Sequence, residues 1–382
     1  MNGIKRRRSL LGLVLVGAMA LTACGSSGGK ASQGSTGSSS GAASSAGADL
    51  AGARSTVAAY EGKPSAFPVD VALPRALPKG TKFGYLQCVT PVCGLFGSFF
   101  GEASTAIGGQ LQTAKAGGSS DALQSAFGSL LEARPAGILI PGIEPTSVSQ
   151  QLATAASAKL PMASNGIMDA EKYGIGGQTL GRPTAELAGK LLAAWVVDRK
   201  GARAKPVLYS APELSFTAVV QQAFTNEMKQ LCAKCQVRFK QVPVTAIGTS
   251  APNLIVSDLQ ANPGSNVAVF DPQELSTGLP AALGTAGLKI DTVGFAPVPA
   301  NLQDIKNGKI TAGLGLDLAV AGWTMVDEVA RLIMKAPLTN GEKTTIPPMQ
   351  FLSAKDLTSD VSKGWTGYPD FPQRFSKLWL QG

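Results

Sequence analysis

From residue 82 onward, short apolar runs alternate with segments whose apolar residues recur every three or four positions. The first pattern is that of strands, the second that of amphipathic helices. Strands are predicted over Lys82–Gln87, 111–116, Gly137–Ile140, 161–164 and 172–175, with a helix ending near Ile107, one over 121–133 and one opening at Pro145. In helix 121–133, Leu123, Phe127, Leu130 and Leu131 share one face. Gly137-Ile138-Leu139-Ile140 is apolar throughout, which suits a parallel strand covered on both sides. A long helix over Arg182–Lys200 stops at Gly201, and the alternation restarts. Strands 206–209, 237–242, 266–270, 290–295 and 309–314 lie between helices 216–231, 254–261, 274–286 and 301–307. Helix 318–335 and strand Met349–Leu352 follow. Two successive blocks of βα alternation predict an α/β protein with two doubly wound parallel-sheet lobes.

The ends read differently. Of the 24 positions 25–48, 21 are Gly, Ser or Ala, too small and polar to build a core, so this stretch is expected to be a disordered tether. Residues 49–60 suit one short helix, and Pro64, Pro68, Pro74 and Pro78 then interrupt regular structure in a lead-in over 49–79. The folded body is expected to begin at about Gly80. At the other end, 361–382 forms an aromatic tail holding Trp365, Tyr368, Phe371, Phe375 and Trp379, expected to be irregular and to pack on one lobe.

Residues 1–23 have the three parts of a secretion signal. Lys5-Arg6-Arg7-Arg8 is the positive start, residues 10–21 are a 12-residue apolar run, and Ala23 is a small residue before the cut. That run is too short to span ~30 Å of hydrocarbon as a helix. Leu21-Thr22-Ala23-Cys24 resembles the bacterial lipoprotein lipobox. The resemblance implies that the Cys24 thiol takes a diacylglyceryl group, becomes the first residue of the mature chain, and anchors it on the extracytoplasmic face of the cell membrane.

Charge and composition narrow the chemistry. The whole chain carries +9, but without Lys5, Arg6, Arg7 and Arg8 the remaining 30 basic residues face 25 acidic ones, a net +5. These cations are scattered, with no aromatic-interleaved basic stripe, so nucleic acid is not an expected partner. Histidine is absent from all 382 residues, which excludes every mechanism with a His base or His metal ligand. Apart from Cys24 the cysteines form two close pairs, Cys88/Cys93 and Cys232/Cys235. An even count in an exported chain argues for disulfides. Cys232-Ala233-Lys234-Cys235 also has the spacing of a redox motif or half a zinc site. It follows the end of a predicted helix rather than opening one, and zinc would need a second pair, so a structural disulfide is favoured.

Two further motifs carry no weight. Gly25-Ser26-Ser27-Gly28-Gly29 matches a hydrolase elbow but sits in the tether, and Gly174-Ile175-Gly176-Gly177-Gln178-Thr179 lacks the third glycine of a dinucleotide fingerprint. Neither catalysis, a cofactor nor a metal is expected.

Over roughly residues 80–352 the body resembles the type I periplasmic binding proteins of the ribose/galactose-binding kind. The matching segments are 82–91, 136–142 with 161–165, Phe270-Asp271-Pro272-Gln273-Glu274, Val293-Gly294-Phe295, and 305–312 entering the last crossover. The resemblance implies two lobes joined by three crossovers, an N-terminal lobe of 80–178 with 317–340 and a C-terminal lobe of 179–316 with 341–360. It further implies a ligand captured in the cleft by hinge closure, delivery to the permease subunits of an ABC importer, and a monomer. Carried over to this chain, the cleft candidates are Thr90, Phe96, Asn165, Phe216, Asp271, Phe295 and Asp317. Three positions depart from the family pattern: Phe270 stands where an Asn is usual, Ala296 follows Gly294-Phe295 in place of an Asp, and Leu316 replaces a Gln. An unpaired buried polar group costs ~1–3 kcal/mol, so these losses point to a ligand less polar than a free monosaccharide. A sugar-binding protein of the same kind, a ligand-sensing lipoprotein signalling to a membrane receptor and a cell-wall enzyme are the alternatives.

Overall fold

The computed structural model describes residues 47–64 and 66–381. The secretion signal, Cys24 and nearly all of the tether lie outside the described residues. The chain begins with helix α1 (Leu50–Ala58), whose N-cap Asp49 accepts a hydrogen bond from Gly52 N at 2.9 Å. Then come β1 (Lys82–Gln87), α2 (Pro91–Ala106), β2 (Gln110–Lys115), α3 (Ser120–Glu132), β3 (Gly137–Ile140), α4 (Ser149–Ser157), β4 (Met162–Asn165) and β5 (Gly177–Thr179). These five strands form one parallel sheet in the order β2-β1-β3-β4-β5. After α5 (Arg182–Lys200), β6 (Pro206–Ser210), α6 (Thr217–Leu231), β7 (Arg238–Gln241), α7 (Ala251–Ala261), β8 (Val267–Asp271), α8 (Leu279–Thr285) and β9 (Asp291–Gly294) build a second parallel sheet in the order β7-β6-β8-β9. In both sheets the strand order therefore reverses at the same topological point, between the first and third strands.

Helix α9 (Pro299–Lys306) leads to β10 (Gly313–Leu316), which joins the second sheet's edge through the Phe295–Leu314 bridge. Helix α10 (Leu318–Met334) crosses back and packs on the first sheet and α2. Helix α11 (Asn340–Thr344) then precedes β11 (Met349–Leu352), antiparallel to β10, and α12 (Phe371–Leu378) closes the chain. The backbone thus crosses between lobes three times, at residues 180–181, at Asp317 and over 335–348. The crossovers are tied to one another: Gly181 N donates to Thr345 O at 3.3 Å and Asp317 N to Pro348 O at 3.0 Å.

Both close cysteine pairs are disulfides, with Cα–Cα distances of 5.5 Å for Cys88–Cys93 and 5.3 Å for Cys232–Cys235. These are ordinary spans for the bond.

Five segments differ from the expectations. The body does not start at Gly80: α1 packs on α5, Asp49 N donates to Leu231 O at 2.7 Å, and Val69, Leu73 and Leu77 are buried. Prolines remove ladder donors but do not prevent an irregular chain from burying its apolar side chains. Residues 172–175 are not a strand. Asp169 and Gly174, both at positive φ, bracket a 3-10 turn over Ala170–Tyr173, and the strand forms later, at Gly177–Thr179. Gly278, at φ 81, breaks the expected helix 274–286 into a 3-10 turn at Gln273–Ser276 and α8. The strand expected over 309–314 begins only at Gly313, because Lys309 N and Ile310 N are spent on Asp304 O. In the aromatic tail, α12 places Phe375 and Trp379 in the core, with the Trp379 ring stacked on Trp323 of α10 at 5.2 Å.

A second polar centre lies behind α10. Arg331, 2% exposed, pairs through Nε with Asp327 Oδ2 at 2.5 Å and Glu342 Oε2 at 3.3 Å, and donates from Nη2 to Val71 O of the lead-in. Trp379 Nε1 donates to Asp327 Oδ1 at 2.5 Å. One buried ion network thereby holds both terminal segments against the first lobe.

Candidate functional site

Open parallel sheets bind ligands beyond the carboxyl ends of their strands, at the point where strand order reverses. Here two such edges face each other across a cavity lined by residues of both lobes. The first lobe contributes the loop after β1 with the Cys88–Cys93 disulfide, Phe96 of α2, Pro141 and Gly142 after β3, and Asn165 and Gly166 at the end of β4. The second contributes Leu214 and Phe216 before α6, Pro272 and Glu274 after β8, and Phe295 and Ala296 after β9. Leu180, Thr184, Ala185, Leu316 and Leu318 close it along the crossovers.

The lobes touch across this cavity. Ser215 Oγ donates to Gly166 O at 2.6 Å, and Met168 N donates to Ser215 Oγ at 3.4 Å. Gly166 has φ +89, and a Cβ there would lie 3.1 Å from the Phe216 ring, so a side chain would be both strained and crowded. From the other side Glu274 reaches over, its Oε1 accepting from Val92 N at 2.7 Å in the first turn of α2. Burial pushes the Glu274 carboxyl up to about 7, against the Val92 hydrogen bond that lowers it.

Five of the seven sequence candidates line the cavity: Thr90, Phe96, Asn165, Phe216 and Phe295. The Phe216 and Phe295 rings meet edge to face at 6.4 Å, and Phe96 stacks on Phe100 at 5.5 Å. The two aspartates are not among the lining residues. Asp317 is the N-cap of α10: its Oδ1 accepts from Val320 N at 3.1 Å, and its Oδ2 from Thr366 Oγ1 at 2.8 Å and Gly367 N at 2.9 Å. Burial still pushes it up to about 6. Asp271 shares a face of β8 with the core residues Val267 and Val269. It is fully buried with neither carboxylate oxygen hydrogen-bonded among the described residues, and burial holds its carboxyl well above the usual range.

Of the three positions that depart from the family pattern, Leu316 and Ala296 line the cavity, and Phe270 stacks on Tyr209 in the core at 5.5 Å. Ala296 has φ 55, a left-handed conformation that disfavours an L side chain. The residue missed from sequence is Glu274, three positions beyond Asp271. A Gln-Glu pair in the loop after a strand was its only signal, and Asp271 carried the same signal more plainly.

Among the described residues no group of His, Cys, Asp and Glu has the geometry to hold a metal ion, and no helix is long and apolar enough to cross a membrane.

Neither protein-family models nor curated proteins match the sequence. Solved structures do. A 5-methylthioribose transporter solute-binding protein of Thermotoga lettingae superposes with a TM-score of 0.66 at 13% identity, over 80% of this chain and 99% of that one. GanP, a glucose-galactose binding protein of Geobacillus stearothermophilus, gives 0.64 at 13% identity over 74% and 100%. An ABC transporter solute-binding protein of Agrobacterium vitis bound with α-D-tagatopyranose gives 0.64 at 16% over 75% and 99%. Two sheets of like strand order, three crossovers and a cavity at both carboxyl edges, matched along nearly the full length of these structures, give this chain the fold of the type I periplasmic binding proteins.

Proposed function

We propose that this chain is an extracytoplasmic solute-binding protein, lipid-anchored through Cys24, that captures a small organic molecule less polar than a free monosaccharide and hands it to an ABC importer. The observation that carries the reading is the cavity between the lobes. Its wall is mostly apolar and aromatic, with polar side chains confined to Thr90, Asn165, Thr184 and Glu274. A monosaccharide presents hydroxyls all round its ring and would leave several unpaired against Phe295, Ala296, Leu316 and Leu318. Thermotoga lettingae supplies a parallel, a protein of this fold in complex with 5-methylthioribose, a sugar bearing an apolar methylthio group. Capture works by differential binding: a ligand touching both walls stabilises the closed arrangement and shifts the open–closed equilibrium toward it.

A thermal-shift screen of the full chain tests this, with a sugar panel set against an aromatic and apolar metabolite panel. Saturating ligand stabilises by RT ln(1 + [L]/Kd), ~2.7 kcal/mol at a hundredfold excess over Kd. The shift is expected in the less polar panel. A shift confined to one pentose or hexose returns the cavity to sugar binding and overturns the apolar reading. The anchor is tested separately by the intact mass of protein extracted from membranes. That mass should carry a diacylglyceryl adduct, and Cys24→Ser should release the chain to the soluble fraction.

A further inference from the structure

Glu274 is the one charged residue lining the cavity; no Lys or Arg joins it, and the sequence has no His. It is 1% exposed. One carboxylate oxygen, Oε1, takes the Val92 N–H, and Oε2 has no hydrogen-bond partner among the described residues. On the facing wall Asn165, 6% exposed, has its Oδ1 equally unpartnered. A buried carboxylate normally finds a counter-charge or a full set of donors. Asp317 shows what a complete set is in this chain: also at a helix N-terminus, it has donors on both oxygens. Glu274 has one donor and an open side toward an otherwise apolar chamber.

We infer that the cavity takes a monocationic ligand, a protonated amine on an apolar ring-sized body, with its N–H donors directed at the free oxygens of Glu274 and Asn165 and its body against Phe96, Phe216 and Phe295. This rests on the cavity being the ligand site. An ammonium supplies the charge and the several donors that the two walls lack. The aromatic rings accommodate the body and favour a cation near their faces. An anionic ligand would set a second negative charge beside Glu274 in the same dry space. A neutral ligand of the same shape would fill the chamber and leave the carboxylate uncompensated.

Isothermal titration of the full chain with matched probes tests the charge assignment. Tryptamine, tryptophol and indole-3-acetate share one indole and differ only in being cationic, neutral or anionic; phenethylamine, 2-phenylethanol and phenylacetate form a smaller set. The amine of at least one set should bind about tenfold or more tighter than its alcohol, as a desolvated charge pair requires, and the acid should not bind measurably. Glu274→Gln should collapse the amine-to-alcohol ratio toward one while the alcohol's affinity stays within about threefold. An alcohol or acid binding as tightly as its amine overturns the inference on the natural protein, whether or not the variant folds. So does an amine preference that survives in Glu274→Gln. If neither set binds while a sugar or another uncharged metabolite does, the charge assignment falls and ligand capture stands. A chain that binds nothing in any screen loses both.

Discussion

Two buried carboxylate sites in this molecule are built differently. Behind α10, Asp327 and Glu342 share the Arg331 guanidinium, Trp379 adds an N–H to Asp327, and Glu342 also accepts from Thr339 N at 2.6 Å. Next to them Glu328 accepts from Thr179 Oγ1 at 3.2 Å, and burial together with the Glu342 charge holds it well above the ordinary carboxylate range. In the cleft, Glu274 has a single N–H and no cation. A carboxylate that meets its counter-charge inside the chain is architecture. One that lacks it, and faces a cavity, leaves that role to something the chain does not contain. Burial alone does not separate the two, since both sites are almost wholly inaccessible; the inventory of partners does.

The largest expected effect tests the first site. Arg331→Leu leaves Asp327 and Glu342 buried without their cation and removes the tie to Val71, and should cost about 3–5 kcal/mol in denaturant unfolding. A loss below about 1 kcal/mol would mean that the two sites do not differ in the way described.

The cleft site should respond to pH instead. Opening the lobes returns Glu274 to water, where it titrates near the ordinary 4.5; closing them raises it to about 7. The closed form therefore binds more protons between these values. Closure is most favoured below about pH 4.5 and is penalised progressively as pH rises through 7, by up to about 3 kcal/mol. Small-angle scattering of the ligand-free chain should show opening between pH 5 and pH 8, and Glu274→Gln should remove that part of the pH response. An amine ligand reverses the sign, since it needs the carboxylate charged. If the ligand-free chain opens equally in Glu274→Gln, the carboxylate is not the group that couples closure to pH.

Smaller effects sharpen the contrast. Asp317→Ala strips the cap from α10 and frees two backbone N–H groups and the Thr366 hydroxyl, at about 2 kcal/mol of stability, with ligand selectivity unchanged because the carboxylate does not line the cavity. Ala296→Gly relieves a left-handed alanine and should raise stability by about 0.5–1 kcal/mol in thermal unfolding.

The βα alternation was legible because each element satisfies its own backbone and signals its burial by period: the apolar run at Gly137–Ile140 implies a covered parallel strand wherever it lies. The candidates Thr90, Phe96, Asn165, Phe216 and Phe295 came from the resemblance to the binding-protein family, whose cleft segments follow the strands of each lobe. The lead-in was not. Val69, Leu73 and Leu77 recur every fourth position as in a helix, but Pro68, Pro74 and Pro78 deny the stretch one, and their burial is decided by α10 and α12, which arrive more than 240 residues later in the chain. Asp271 and Glu274 were indistinguishable in sequence, two acids three positions apart beyond an apolar strand. The alternation of β8 sends the first into the lobe, and the 3-10 turn that follows carries the second to the opposite lobe.

The sequence alone determined the fold class, the two-lobed repeat, the pairing of cysteines and the absence of histidine chemistry, since these depend on local periodicity, close spacing and composition. Tertiary structure decided which acid faces the cavity, which acid caps a helix, and that the lead-in and the aromatic tail are tied to one buried Arg331–Asp327 pair. Those outcomes depend on which groups meet after two lobes and three crossovers have closed, and long-range proximity leaves no local pattern in the chain.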